Sequence, residues 1–170
     1  MSREDENIGP LTGVRVLDLT INVLGPVATQ ILGDLGAEVI KVETPSGDPM
    51  RLIGSSKTGM LGPFFQTTNR NKKSVVLDLK KIEEKNALLK IAGGCDVFVH
   101  NMRQAATERL GIDYKNLRKA APKIIYASAT GYRRNSPKDG RPAYDDVIQG
   151  ESGLVDLIDK TNGEARFVPM

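Results

Sequence analysis

The stretch LDLTINVLGPVATQILGDLGAEVIKVE, from Leu17 to Glu43, constrains the fold more than any other part of the chain. Residues 14–19 (VRVLDL) form an apolar run rich in β-branched side chains, which suits a buried strand. A turn follows and ends at Gly25-Pro26, where Pro26 suits the first helical position because its missing N–H would be unpaired there anyway. Val27, Ala28, Ile31, Leu32 and Leu35 recur at helical spacing, and Gly36 is placed to close that helix. Residues 37–42 (AEVIKV) predict the next strand.

The rest of the chain continues the alternation. A segment from Thr44 to Pro63 carries Pro45, Gly47, Pro49, Gly54, Gly59 and Gly62 and reads as a long loop, a kind that is usually functional or mobile. Strands are expected at Ser74–Leu79, 95–100 and Ile124–Ser128, and a helix at 81–92. Two short helices joined near Gly111 are expected over 103–121. A polar loop spans 131–142, and a single helix is expected over Tyr144–Ile158. This order predicts an α/β fold, a mostly parallel sheet with helices on both faces. Ligands of such sheets bind at the carboxyl ends of the strands, near the point where strand order reverses. The turn after Leu19 lies at such an end.

Composition excludes several classes. The 170 residues are enough for one domain with a core, or for the first part of something longer. An apolar fraction of 39% and a charged fraction of 26% describe a globular chain, not a disordered or fibrous one. The single cysteine, Cys95, rules out an internal disulfide and fits a cytoplasmic compartment. No apolar stretch approaches a membrane span, and the opening MSREDENIG lacks the apolar segment of a signal peptide. Neither a membrane nor a nucleic acid is expected as partner, since 24 Lys and Arg against 21 Asp and Glu leave only +3. Basic residues do gather, first at Arg70, Lys72, Lys73, Lys80 and Lys81, then at Arg133, Arg134, Lys138 and Arg141. They form either a solvated surface or a site for a phosphorylated ligand.

The opening turn does not carry a dinucleotide fingerprint. That motif spaces glycines as G-x-G-x-x-G so that a pyrophosphate can approach backbone N–H groups. Here Gly25 stands alone after Asn22, Val23 and Leu24, and there is no phosphate-loop lysine pattern. An enzyme dependent on NAD or S-adenosylmethionine is therefore disfavoured, although another ligand can use the helix N-terminus.

Several collinear motifs carry a resemblance. LDLT from Leu17, then Gly25-Pro26, LGDLGAEVIKVE, SGDPMR, NRNKKSVVLDLK from Asn69, VHNMR from Val99, ERLGIDY from Glu108 and YDDVIQGESGL from Tyr144 together resemble the N-terminal part of the class III coenzyme A-transferases. That family includes formyl-CoA transferase, the carnitine and bile-acid CoA-transferases and α-methylacyl-CoA racemase. The resemblance covers nearly the whole chain from Gly9. It implies a Rossmann-type domain that binds coenzyme A and an acyl group and needs no metal. It also implies transfer of CoA between an acyl-CoA and a carboxylic acid through an aspartyl anhydride and then an aspartyl-CoA thioester. A carboxylate nucleophile thereby divides one difficult transfer into easier steps. A racemase-type member and a non-catalytic CoA-binding module are the alternatives.

The resemblance also implies site residues. Leu77 and Lys80 match positions beside the adenine and its phosphate, Asn101 a CoA contact, and Arg109 the adenosine or phosphate end. Tyr144 and Asp145 match positions lining the pantetheine and acyl region, with Asp145 a supporting carboxylate. Each has an ordinary reading beside it: Asn101 as a helix cap, Lys80 and Arg109 as solvated surface, Tyr144 as a core aromatic. His100, the only histidine, and Cys95 are read as structural.

Two departures from the family pattern bear on the substrate. The formyl-CoA branch carries His and Gln in the turn where this chain has Ile21 and Val23. The acyl-site turn of Ile21, Val23, Leu24 and Gly25 is thus apolar, which argues against a formyl or oxalyl group. The usual Pro-Gly before ERLG is Gln104-Ala105. The resemblance places the nucleophilic aspartate on a strand beginning at Arg166-Phe-Val-Pro, just past Met170, so neither Asp156 nor Asp159 is a substitute. The expected organisation is a disordered tail at 1–8 and a truncated CoA-binding domain at 9–170, without the family's second, smaller domain. The chain alone is then expected to be inactive, and the intact form a homodimer.

Overall fold

The computed structural model describes residues 9–57, 59–163 and 166–168. The expected tail at 1–8 lies outside them. The chain divides into two compact units, one ending at Ala129 and the other beginning at Thr130, each described by itself.

In the first unit β1 (Arg15–Leu19), β2 (Glu38–Glu43), β3 (Lys72–Val76), β4 (Val97–His100) and β5 (Ile125–Ser128) form one sheet. Its order is β3-β2-β1-β4-β5 and every pairing is parallel. The chain runs outward from β1 to β3 and then crosses to the other side of β1, so strand order reverses between β1 and β4. α1 (Leu24–Asp34) connects β1 to β2, and α3 (Ile82–Ala92) connects β3 to β4. α4 (Gln104–Leu110) and α5 (Tyr114–Ala120) precede β5, with the left-handed Gly111 (φ 70°) ending α4.

Alternation along the strands sends side chains to two cores. Leu17, Leu19, Ile40, Val42 and Phe98 pack with Leu88 and Ala92 of α3 and Leu117 of α5. Val16, Val39 and Val99 form the opposite core with Ala37, and Leu32 of α1 packs onto it. The expected parallel sheet with helices on both faces is the observed one. Each fully buried Leu or Phe in these cores contributes roughly 1.5–3 kcal/mol.

α1 turns a different face inward from the one its periodicity predicts. Its buried residues are Gly25, Pro26, Thr29, Gln30 and Gly33, whereas Ala28 is exposed, Ile31 is 50% exposed and Leu35 40%. The reason lies beneath the helix: Asp18, Lys41 and Lys72 are buried there, and Thr29 is the side chain that can bond to them. Pro26 is the third helical residue, not the first, because α1 begins at Leu24. It is still within the first turn, where no N–H has an intrahelical partner.

Other boundaries also move. The loop expected over 44–63 holds a 3-10 turn at Pro49–Leu52, and α2 (Pro63–Thr68) begins at its end. β3 occupies Lys72–Val76, earlier than the expected 74–79, because Asp78 accepts from the Lys80 N–H and bends the chain away. In the second unit the single helix expected over 144–158 is two, α6 (Asp145–Glu151) and α7 (Leu154–Asn162), broken at Gly153 with φ 78°. The strand expected from Arg166 is absent among the described residues. Instead, the Val168 N–H and C=O pair with the side-chain amide of Gln149 at 2.7 and 2.8 Å.

Candidate functional site

Strand order reverses between β1 and β4, and just past their carboxyl ends Asn101, after β4, bonds to Ile21, after β1. Its amide accepts from the Ile21 N–H at 3.0 Å and donates to the Ile21 C=O at 2.7 Å. Asn101 is therefore not a helix cap: α4 is preceded by Arg103, and no side chain caps it. The turn it holds includes Asn22 in the left-handed region, φ 67°. Ile21 and Leu24 are 39% and 69% exposed, so the turn presents apolar side chains to the outside. Gly25 is fixed by space, since a Cβ there would lie 2.3 Å from Cβ of Thr20.

A buried polar network lies behind this turn. Asp18, fully buried, accepts from the Thr20 N–H and hydroxyl, the Thr29 hydroxyl and the Lys72 ammonium. Lys72 also donates toward Pro26 O and Asn69 Oδ1. Burial pushes its pKa down, opposed by the charge of Asp18. Beside it Lys41 pairs with Asp48 at 3.0 Å, and Arg51 grips Glu43 with two bonds of 2.7 Å while stacking on the Phe65 ring at 3.7 Å. Burial raises the Glu43 pKa, but Arg51, the Asp48 N–H and Ser74 outweigh it and hold the group below its ordinary value. Three carboxylates thus balance three cations without exposing any of them fully to water.

In the sequence Asp18, Lys41, Glu43, Asp48 and Arg51 stand inside motifs that give them no individual role, and Lys72 stands in the first basic cluster. The available signal was a charged residue within an apolar strand, as in LDL and VIKVE. Such a group is buried only with partners, so Asp18, Lys41 and Glu43 imply the network. Part of the first basic cluster belongs to it: Lys72 is a structural cation, while Arg70, Lys73 and Lys81 pair with Asp34, Glu38 and Glu84. Those four are taken up by carboxylates and not held open for a phosphate.

The remaining candidates occupy distinct places. Leu77 follows β3, packs into the core at 9% exposure and donates its N–H to Glu43 O. Lys80 and Arg109 are exposed, and neither side chain makes an ion pair among the described residues. Tyr144, 65% exposed, and Asp145 belong to the second unit, where Asp145 accepts from the Gln149 amide. Tyr144 is thus not a core aromatic. His100 is buried against Phe98 and Tyr126, and its Nδ1 accepts from the Met102 N–H. Burial raises the pKa of the Cys95 thiol, which favours its protonated form. An open groove of about 530 Å³ runs between α3 and α5, lined by Lys85, Asn86, Asn116 and Lys119 among others, but by none of the assigned residues. No helix among the described residues is long and apolar enough to cross a membrane, and no three metal-ligating side chains cluster there.

The geometry is that of a doubly wound α/β domain with a switch in strand order between β1 and β4, the kind of place where ligands of such sheets generally bind. Residues 11–170 match CoA-transferase family III, and the chain belongs to that family. It is 42% identical over 159 residues to the succinyl-CoA:glutarate CoA-transferase of Homo sapiens, covering 93% of this chain and 36% of that protein. It is also 42% identical over 162 residues to a probable fatty acyl-CoA transferase of Mycobacterium tuberculosis, covering 94% and 41%. The crystal structure of a CAIB/BAIF family protein from Brucella suis superposes with a TM-score of 0.88 at 33% identity, over 95% of this chain and 44% of that one. The chain therefore spans well under half the length of these relatives.

Proposed function

We propose that this chain forms the coenzyme A-binding part of an enzyme that moves CoA between an acyl-CoA and a carboxylic acid. In this reading Leu77, Lys80 and Arg109 serve the adenine and phosphate end, and Asn101 supports the turn that the ligand passes. Tyr144 and Asp145 line the pantetheine and acyl region, and Ile21, Val23, Leu24 and Gly25 face the acyl group. The observation that carries the reading is the apolar turn that Asn101 holds at the carboxyl end of β1, in a member of CoA-transferase family III; Lys80, after β3, and Arg109, in the last turn of α4, add exposed cations with no ion-pair partner among the described residues. Exposed cations without carboxylate partners are what an anionic ligand requires.

The chemistry is nucleophilic catalysis by a carboxylate. Its oxygen attacks the thioester carbonyl, the C–S bond breaks, and CoA leaves as thiolate, leaving a mixed anhydride between the carboxylate and the acyl group; attack of that thiolate on the enzyme's carboxyl carbon then gives the aspartyl-CoA thioester and frees the donor acid. No carboxylate of this chain is assigned as that nucleophile. Transfer, not racemisation, is favoured because the similar proteins are named as transferases. The exposed apolar surface of Ile21 and Leu24 favours an acyl group with a hydrocarbon portion over formyl or oxalyl.

Calorimetry with coenzyme A, a medium-chain acyl-CoA, succinyl-CoA and oxalyl-CoA tests the reading. Saturable binding is expected, weakened about 10- to 100-fold by Arg109→Ala through loss of a charge-assisted contact. A folded protein that binds none of the four overturns the assignment. Preference for oxalyl-CoA over the medium-chain ligand overturns the acyl-group reading alone.

A further inference from the structure

The Lys41–Asp48 pair does more than fill space behind the opening turn. Both side chains are at most 1% exposed. The Lys41 ammonium donates to Thr20 O at 2.8 Å and to Asp48 Oδ2 at 3.0 Å. The other oxygen of Asp48 accepts from the Asn22 N–H at 3.3 Å and the Met50 N–H at 3.0 Å. One ion pair thus reaches the backbone on both sides of Ile21, while Asn101 holds Ile21 itself from the direction of β4.

Three consecutive residues, Thr20 to Asn22, are therefore held through main-chain polar groups by side chains from three separate segments. Such over-determination is what sustains a non-glycine residue in the left-handed region, as at Asn22. Asp48 is fixed in turn: its N–H donates to Glu43 Oε2 at 3.1 Å, and Glu43 is gripped by Arg51. A buried ion pair generally adds little stability over an apolar pair of similar volume. What this pair supplies that an apolar pair cannot is direction, in bonds to Thr20 O and the Asn22 N–H.

We infer that Lys41 and Asp48 are positioning residues for the acyl end of the ligand: they fix the path of Thr20–Asn22 and hence the placement of Ile21, Val23 and Leu24. The inference rests on the reading of this turn as the acyl-facing segment. It predicts that removing the pair leaves the sheet intact but loosens the turn, and that the acyl group registers the loss more than the nucleotide does.

The test compares the wild-type protein with Asp48→Asn and with the double variant Lys41→Met/Asp48→Leu, whose apolar side chains fill the volume and leave no unpaired buried charge. Amide hydrogen exchange, measured without ligand, reads the turn directly. Exchange at Asn22 and Ile21 is expected to rise at least about tenfold in the double variant while Val16, Leu17 and Ile40 stay protected. Calorimetry then separates positioning from general support. Affinity for a medium-chain acyl-CoA is expected to fall about tenfold, and that for free coenzyme A by less than about twofold. Unchanged exchange at Asn22 in a folded double variant overturns the inference. So does equal weakening of the two ligands, which marks the pair as general scaffolding. If the wild-type protein binds neither ligand, the acyl-site reading fails, and the exchange data still decide whether the pair holds the turn.

Discussion

Replacing Asp18 by alanine tests the buried network most severely. Asp18 is fully buried and accepts four hydrogen bonds, from the Thr20 N–H, the Thr20 and Thr29 hydroxyls, and Lys72. Its removal strands the Lys72 ammonium, which keeps only the neutral acceptors Pro26 O, Thr29 Oγ1 and Asn69 Oδ1. Breaking a buried pair on one side costs about 3–5 kcal/mol. That is a large share of the roughly 5–15 kcal/mol that stabilises an ordinary domain, and it lowers Tm by about 6–20 °C for a chain of this size. Urea unfolding followed by circular dichroism measures it, with the midpoint falling and the slope unchanged. The double variant Asp18→Leu/Lys72→Met removes both charges and is expected to recover about half of the loss, the remainder being the orphaned Thr20 and Thr29 donors. The sign with pH is also fixed. Lys72 already sits below its ordinary value of 10.5 through burial, and losing Asp18 lowers it further. Between the folded and unfolded values the unfolded chain binds more protons, so the deficit of Asp18→Ala narrows as pH rises toward 10.5. A loss below about 1 kcal/mol, or a double variant no better than the single one, refutes the argument that these charges are desolvated and mutually dependent.

Gly25→Ala places a Cβ 2.3 Å from that of Thr20 and is expected to destabilise by about 1–3 kcal/mol while weakening acyl-CoA binding, read by thermal unfolding and calorimetry. Exchanging Ile31 for serine on the exposed side of α1 is expected to change stability by less than about 0.5 kcal/mol, whereas Thr29→Val on the buried side, which removes the hydroxyl bridging Asp18 and Lys72, costs about 1–3 kcal/mol. The reverse order restores the face predicted by periodicity. Glu43 titrates below its ordinary value of 4.5 when folded, so its contribution is complete above pH 4.5 and is lost as pH falls through the folded value. A Tm profile from pH 6 to 3 is expected to fall less steeply in Glu43→Gln, from a lower starting point, and identical slopes count against the shift.

The architecture was legible because it depends on local pattern. Short β-branched runs separated by helical segments specify a parallel sheet, and all five strands were anticipated to within a few residues. The helix α1 shows where pattern failed. Of its predicted apolar face, Ala28 and Ile31, with Leu35 just past its end, lie outward and only Leu32 packs onto the core, while Thr29 lies inward. Periodicity assumes an apolar floor beneath a helix, and this floor carries Asp18, Lys41 and Lys72. The break at Gly153 was missed for a related reason: a glycine inside an apolar periodic stretch leaves open whether the chain kinks or continues.

The sequence by itself determined the strand-turn-helix order, the parallel sheet and the position of the turn at its carboxyl edge, since each follows from side-chain periodicity and from turn residues close together in the chain. Tertiary structure alone decided what holds that turn. Asn101 reaches Ile21 across a separation of 80 residues, and Lys72 reaches Asp18 across 54. Asp48 becomes a partner of Lys41 only once the loop after β2 folds back over the sheet. Charges can be buried only where opposite charges and hydrogen-bond partners converge, and that convergence is a property of the closed sheet rather than of any one segment.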